Sequence, residues 1–415
     1  MLEHEADRIS FPRVLFLDQS GELGGAELSL LDIARHFRTR ATVALLADGP
    51  FAARLRDAGI VCDVLAGTAP LLSVRRQDGP TQWIHAVGAV GRSITALARL
   101  ARTHDLIYAN TQKSFVLGAL AAMVARRRLI WHLRDILSAA HFGAANLRLT
   151  VALARMTGAR VIANSQATAA AFVAAGGAVQ NVATIPNGID PAPWRRIDLE
   201  ARQRLRETLG VADGPVLGIF GRLAEWKGQH ILLEVVARLP GTQAIVVGDA
   251  LFGEVEYRDF LMARVRELDV ERRVRFLGFR DDVPALMRAC DIVVHASIAP
   301  EPFGRVIVEA MLAGLPVIAS DAGGAREIVE NGRSGILVPP GDAEILAAAV
   351  RALLADQVRA RRLALAGSER ALAEFGLDRA LARIEAVVAE AASPATATPH
   401  RRDSLEPRPA DDIVS

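Results

Sequence analysis

Short, nearly continuous apolar runs recur along this chain, each followed by an Ala-rich stretch of helical composition. They lie at Pro12 to Asp18, Ala41 to Ala47, Ile60 to Leu65, Leu106 to Asn110, Leu129 to Leu133 and Arg160 to Asn164. An apolar run without polar alternation is how a strand buried on both faces of a parallel sheet reads. Helices long enough to cross over between such strands specify a doubly wound sheet. The rhythm breaks at V-A-T-I-P-N-G-I-D-P-A-P-W, Val182 to Trp194, where Pro, Asn and Gly cluster as at a domain boundary. It starts again at Pro215 to Phe220, Ala244 to Val247, Val274 to Gly278, Ile292 to Ala296, Pro316 to Ala319 and Ile336 to Val338. The expected architecture is α/β, with two doubly wound parallel-sheet domains over residues 1–186 and 187–376. An amphipathic helix over 377–392 follows, and then a tail over 393–415 with too few apolar residues to order itself. Two domains of this kind leave a cleft, the commonest place for a ligand.

Composition narrows the function classes. Hydrophobic residues make up 51% and charged residues 23%, the mixture of a folded soluble protein. A net charge of +2, with no zinc spacing and no basic-aromatic interleaving, gives no reason to expect nucleic acid. Cys62 and Cys290 read as small core residues in a reducing compartment. The start, M-L-E-H-E-A-D-R, is acidic where a secretory leader would be basic, and no apolar run reaches the roughly 18 to 20 residues of a membrane span, so a cytoplasmic enzyme is expected. Among 49 basic residues only Lys113 and Lys227 are lysine, so each lysine is a choice to be explained.

Three stretches carry chemistry. After the first strand, Q-S-G-E-L-G-G-A-E opens a helix bearing Leu28, Leu31, Ile33 and Phe37, and Gly24 with Gly25 reads either as a phosphate loop or as a plain tight turn. In the second domain, G-I-F-G-R-L-A-E-W-K-G ends a strand and projects Arg222 and Lys227, a forked donor and a point charge suited to a diphosphate. From Ser297 to Glu330 the pattern is strand end, loop, helix and next strand, with Glu301 in the loop, Glu309 in the helix, and bare N–H groups at Phe303-Gly304. Polar residues also fall just past first-domain strand ends: Asn110 to Lys113, His132, Arg134, Asp135 and Ser165. Taken alone, His132 reads as a hydrogen-bonded structural histidine.

G-G-A-E at Gly24 to Glu27, N-G-I-D at Asn187 to Asp190, G-R-L-A-E-W-K-G at Gly221 to Gly228 and E-P-F-G-R-V-I-V-E at Glu301 to Glu309 together resemble the retaining glycosyltransferases of family 4. The resemblance extends from Arg13 to Glu390. It implies the GT-B fold, two facing Rossmann-like domains with a C-terminal helix crossing back to the first. It also implies transfer of a hexosyl group from a nucleoside diphosphate sugar, such as a UDP- or GDP-sugar, in bacterial glycan, polysaccharide or glycolipid biosynthesis. By the same resemblance Arg222 and Lys227 bind the diphosphate, Glu301 contacts the sugar hydroxyls, and Glu309 holds the ribose. Backbone at Phe303 and Gly304 completes the cradle, the loop of Gly24 and Gly25 closes over it, and His132 lies beside the donor sugar. Arg305 stands where the family is frequently aliphatic and Pro302 where it is often Gly, which points to a changed sugar pocket.

Fixed cations stabilise the charge that develops on a departing diphosphate, and no D-x-D beside a strand end demands a metal, so neither metal nor cofactor is expected. Two other readings stay open. One is a UDP-sugar epimerase of the same architecture, which would return an isomer without any acceptor. The other is a silent sugar-nucleotide-binding protein, whose phenotype would survive Glu301→Ala and Lys227→Ala. The acceptor, whether glycan, lipid-linked or small molecule, is expected at the first domain, with Asn110 and Lys113 as candidate contacts. Arg92, Arg99, Arg102 and Arg126 to Arg128 read as a solvated face, as a contact for an anionic acceptor, or as a peripheral contact with an anionic membrane carrying a lipid-linked sugar.

Overall fold

The computed structural model describes residues 12–65, 80–138, 142–194, 199–211, 214–250 and 254–393. The expected tail lies outside these from residue 394 onward. Seven strands build the first sheet: β1 (Val14–Asp18), β2 (Ala41–Leu45), β3 (Val61–Val64), β4 (Leu106–Ala109), β5 (Arg128–Leu133), β6 (Arg160–Ala163) and β7 (Val182–Thr184). Six build the second: β8 (Val216–Phe220), β9 (Gln243–Val247), β10 (Val274–Phe276), β11 (Ile292–His295), β12 (Val317–Ser320) and β13 (Ile336–Val338). The orders are β3-β2-β1-β4-β5-β6-β7 and β10-β9-β8-β11-β12-β13, with every pairing parallel. Every apolar run in the sequence therefore became a strand, and the most continuous ones, β1 and β8, are buried at all positions. Edge strand β3 instead alternates exposed and half-buried residues, which leaves Cys62 half-buried, whereas Cys290 is fully in the core.

Helix phase corrects one detail. The helix Gly25–Phe37 buries Leu30, Leu31, Ile33, Ala34 and Phe37 against the first sheet, while Leu28 is only half-buried. Leu28 and Leu30 lie about 200° apart around the helix, so the face chosen by Leu30, Ile33 and Phe37 turns Leu28 away.

The last helix, Leu377–Ala392, joins the first domain: Leu381, Ile384, Val387 and Val388 share a core with Val14, Phe16 and Tyr108. Burying each of these side chains contributes about 1.5–3 kcal/mol, more than the flanking His36–Glu385 hydrogen bond and the Arg160–Glu390 ion pair can add at the surface. The outgoing and returning segments meet where Ile189 N–H donates to Phe375 O (2.9 Å) and Leu377 N–H to Ile189 O (3.2 Å). At Gly188 an added Cβ would stand 2.7 Å from both the Leu377 Cα and the Ala380 Cβ, so the N-G-I-D glycine is required by the close approach of the two crossing segments. Among the described residues no helix is long and apolar enough to cross a membrane.

Both sheets reverse their strand order at one place, between β1 and β4 in the first and between β8 and β11 in the second. Loops leaving the carboxyl ends of such neighbours diverge and open a crevice. The residues past β1, β4, β8 and β11 are therefore the ones positioned to meet a ligand.

Candidate active site

On the second-domain side, β8 ends at Phe220 and the chain turns through Arg222 into a short 3₁₀ segment, Glu225–Lys227. That turn sends Lys227 Nζ to Glu301 Oε1 at 2.7 Å. The same oxygen accepts from His295 Nε2 at 2.8 Å and from the Ser297 hydroxyl, both from the end of β11. Three donors thus converge on Oε1, and among the described residues Oε2 has no protein partner. Burial alone would raise the Glu301 carboxyl, but the charges and hydrogen bonds of Lys227 and His295 hold it well below the usual carboxylate range. It is a fixed, ionised acceptor with one oxygen open. Trp226 lies under both cations, 4.5 Å from Lys227 Nζ and 5.7 Å from the Arg222 guanidinium carbon, and Arg222 also reaches Glu254 at 3.6 Å.

The loop carrying Glu301 is built on the glycine pair of S-D-A-G-G. Gly324 N–H donates to Glu301 O at 2.8 Å, and Cβ atoms on Gly323 and Gly324 would stand 2.3 Å from Glu301 O and 2.5 Å from Phe303 O. Any side chain there would push the Glu301 loop out of place. The Phe303 side chain is buried edge-on against Phe375 (5.8 Å), so only its backbone is available to a ligand. Gly304, at φ +105°, caps the helix Arg305–Leu312 with no side-chain partner for its first N–H groups. One turn on, Glu309 is buried and its Oε1 accepts from Arg305 Nε at 2.6 Å. Burial raises the Glu309 carboxyl, and Arg305 opposes that shift.

The first-domain side is a buried polar network beneath the glycine loop. Asp18, at the end of β1, accepts from Asn110 Nδ2 (2.6 Å) past the end of β4. Asn110 Oδ1 accepts from Arg134 Nε (2.7 Å), and Arg134, just past β5, donates on to Asn187 Oδ1 (2.8 Å) and to Nδ1 of His132 within β5 (3.2 Å). The Tyr108 hydroxyl also meets His132 Nδ1, at 2.6 Å. Burial raises the Tyr108 phenol, which therefore keeps its proton and donates it, so Nδ1 is the acceptor and Nε2 carries the imidazole hydrogen. Nε2 is buried and has no partner. Burial, with Arg134 nearby, also drives the His132 pKa well below its usual value, which keeps the ring neutral. Glu27 caps its own helix by accepting from Gly24 N–H at 3.0 Å, and burial with the Asp18 charge pushes its carboxyl up to about 7.

The two sides meet. A Cβ on Gly25 would stand 3.8 Å from Arg305 Cδ, and Glu327 of the second domain accepts from Gln166 N–H (2.8 Å) and Ala167 N–H (2.9 Å), the start of a first-domain helix. Of the residues singled out in the sequence, Lys227 and Glu301 are in direct contact, Glu309 is paired with Arg305, and His132 lies in the first-domain network. Asn110 is completely buried with its amide committed to Asp18, Ala26 and Arg134, beneath the crevice surface and not on it. Lys113 is exposed near the start of the helix Gln112–Ala125. Sequence reasoning missed His295, Ser297 and Trp226 as site residues. Their only signal was position, two just past β11 and one between the two cations. It also missed Arg127 as a structural residue: it donates to Ala101 O and Arg102 O and is not part of an open basic run.

Two family descriptions match this chain, "Glycosyltransferase Family 4" over residues 23–193 and "Glycosyl transferases group 1" over residues 201–370. The crystal structure of Anabaena HepE in complex with UDP-glucose is 44% identical, covers 91% of this chain and 100% of that one, and superposes with a TM-score of 0.84. The lipopolysaccharide core biosynthesis glycosyltransferase LpsE of Rhizobium meliloti is 39% identical over 164 residues, 40% of this chain and 46% of LpsE. Glycogen synthase of Mycobacterium tuberculosis is 35% identical over 206 residues, 48% of this chain and 46% of that protein. The chain spans about half the length of these curated relatives. The motifs, the two parallel sheets and the full-length match to HepE together place this chain in glycosyltransferase family 4, the group 1 glycosyl transferases.

Proposed function

We propose that this chain is a retaining transferase that moves a hexosyl group from a nucleoside diphosphate sugar, UDP-glucose in the first instance, to an acceptor hydroxyl. The observation that carries the reading is the convergence of Lys227 and the strand-end groups on one oxygen of Glu301, beside Arg222, at the switch point of the second sheet. HepE, 44% identical, binds UDP-glucose, which supports the choice of donor.

In this reading Arg222 and Lys227 hold the diphosphate, with backbone N–H groups at Phe303 and Gly304 and the loop of Gly24 and Gly25 closing over it. The open oxygen of Glu301 accepts from the sugar hydroxyls, Glu309 accepts from the ribose, and the His132 Nε2–H donates to the sugar. As the bond from the anomeric carbon to the β-phosphate oxygen breaks, negative charge grows beside preorganised cations, which lowers the barrier. The acceptor oxygen bonds to the anomeric carbon on the same face, and its proton passes to the departing phosphate. The acceptor approaches from the first domain, near Lys113.

The deciding measurement screens UDP, GDP, ADP and TDP sugars by thermal shift, then incubates the best donor with candidate acceptors, with and without EDTA. A ligand that binds only the folded state at 100 times its Kd raises stability by about 2.7 kcal/mol. Expected are a rise with a UDP-sugar, a product with the donor's anomeric configuration, and activity unchanged by EDTA. No shift with any nucleotide sinks the donor reading, inversion sinks the stereochemistry, and loss with EDTA sinks metal independence. The proposal places the reaction in the cytoplasm, with Arg92, Arg99, Arg102, Arg126 and Arg128, all exposed, against an anionic membrane. Co-sedimentation with anionic but not zwitterionic vesicles at low salt is expected, and indifference to both would remove that part.

A further inference from the structure

We infer that Arg305 positions the donor's ribose: it locks one oxygen of Glu309 through Nε and presents a second N–H, on Nη1, to the bound nucleotide. This rests on Glu309 being the ribose contact in the proposed function.

Arg305 is the first residue of its helix and Glu309 lies one turn on, so the pair is local, and its 2.6 Å bond leaves the guanidinium and carboxylate 19% and 11% exposed. Only Oε1 is engaged, so the other carboxylate oxygen faces no protein donor among the described residues. Nη1 is buried and has no acceptor. A buried N–H without a partner costs stability, and it persists where a ligand supplies the acceptor. The stem of Arg305 lies against the glycine loop of the first domain, at Gly25. A single side chain therefore pairs with the ribose carboxylate through its guanidinium and runs its stem beside the closing loop of the other domain.

The electrostatics point the same way. Burial pushes the Glu309 carboxyl up, and Arg305 is the charged group that holds it down. On the helix packed behind, Arg370 is committed to Glu330, while Asp32 and Arg134 of the first domain interact with Arg305 itself. A ribose diol offers two O–H donors, which an ionised carboxylate accepts and a protonated one accepts less well. Without Arg305, burial would raise the Glu309 carboxyl further, so it would hold its proton to higher pH and release it as pH rises.

The test is calorimetric binding of UDP and of 2′,3′-dideoxy-UDP to the full chain between pH 6 and 9, with melting curves to confirm folding. Glu309→Gln should weaken UDP by about ten- to a hundredfold at every pH. Arg305→Met should lose most at the acid end of that range, recover as pH rises, and discriminate poorly between UDP and the dideoxy analogue. Arg305→Lys, which keeps a charge but not the fork, should fall between. If Arg305→Met binds like the unaltered protein while Glu309→Gln fails, the role of Arg305 is wrong and the ribose reading stands. If Glu309→Gln binds normally, the ribose reading itself is wrong. A loss in Arg305→Met that is independent of pH and keeps discrimination also overturns the inference.

Discussion

Lys227→Ala is expected to lower kcat/KM for the donor by about 10² to 10³-fold, mostly in kcat, while the protein stays folded. Lys227 is the compact cation held 2.7 Å from Glu301 and 4.5 Å from the Trp226 ring centre, so it is fixed before any ligand arrives. A preorganised charge that meets growing negative charge on a leaving group acts in the transition state more than in the ground state, and one such donor is typically worth that factor. Glu301→Gln should show a loss of similar order by a different route. The amide keeps the shape but offers one acceptor oxygen, already occupied by Lys227, His295 and Ser297, and turns an N–H toward the sugar hydroxyls. Because the two side chains are in contact, the double variant should lose less than the product of the single losses. Steady-state kinetics with melting curves checks this. A Lys227→Ala protein with normal melting and kcat within about threefold of the original would sink the diphosphate role.

The sheets were legible because parallel strands buried on both faces are written as continuous apolar runs, and β1, β4 and β8 are buried at every position. That Lys227 and Glu301 would lie near each other was legible because both fall in loops past second-domain strands, after β8 and β11. What stayed hidden depends on long-range meeting. His295 ends an apolar strand and looks like core until β11 is placed beside β8, which brings Lys227 to the same carboxylate. Asp18, Asn110, Arg134 and Asn187 are spread over four segments, and only the strand order β1-β4-β5 brings them into one chain of hydrogen bonds. The Arg305–Glu309 pair was readable at i, i+4, but its burial under Gly25 was not.

Arg134→Met should destabilise the fold by about 3–5 kcal/mol, the usual cost of removing one partner from a buried charged network. Arg134 is buried, and its guanidinium serves Asn110, Asn187 and His132 while its charge acts on Asp18 and Glu27. Methionine fills the volume but leaves the Asn110 and Asn187 oxygens without this donor and the carboxyl groups without a counter-charge. The loss should also deepen with pH. Burial already raises both carboxyls above their unfolded values, Glu27 from 4.5 to about 7. The folded state therefore holds protons that the unfolded chain has released between those pH values, and stability falls as pH rises through that window. Without Arg134 the folded values climb further, so the gap in melting temperature between variant and original should be smaller at pH 5 than at pH 8. Adding Asp18→Asn and Glu27→Gln removes both ionisations and should flatten the pH dependence while leaving the hydrogen-bond loss. An Arg134→Met protein that melts like the original at pH 8 would show that the network carries no charge balance, and the neutral, Nε2-protonated state of His132 would then have to rest on Tyr108 alone.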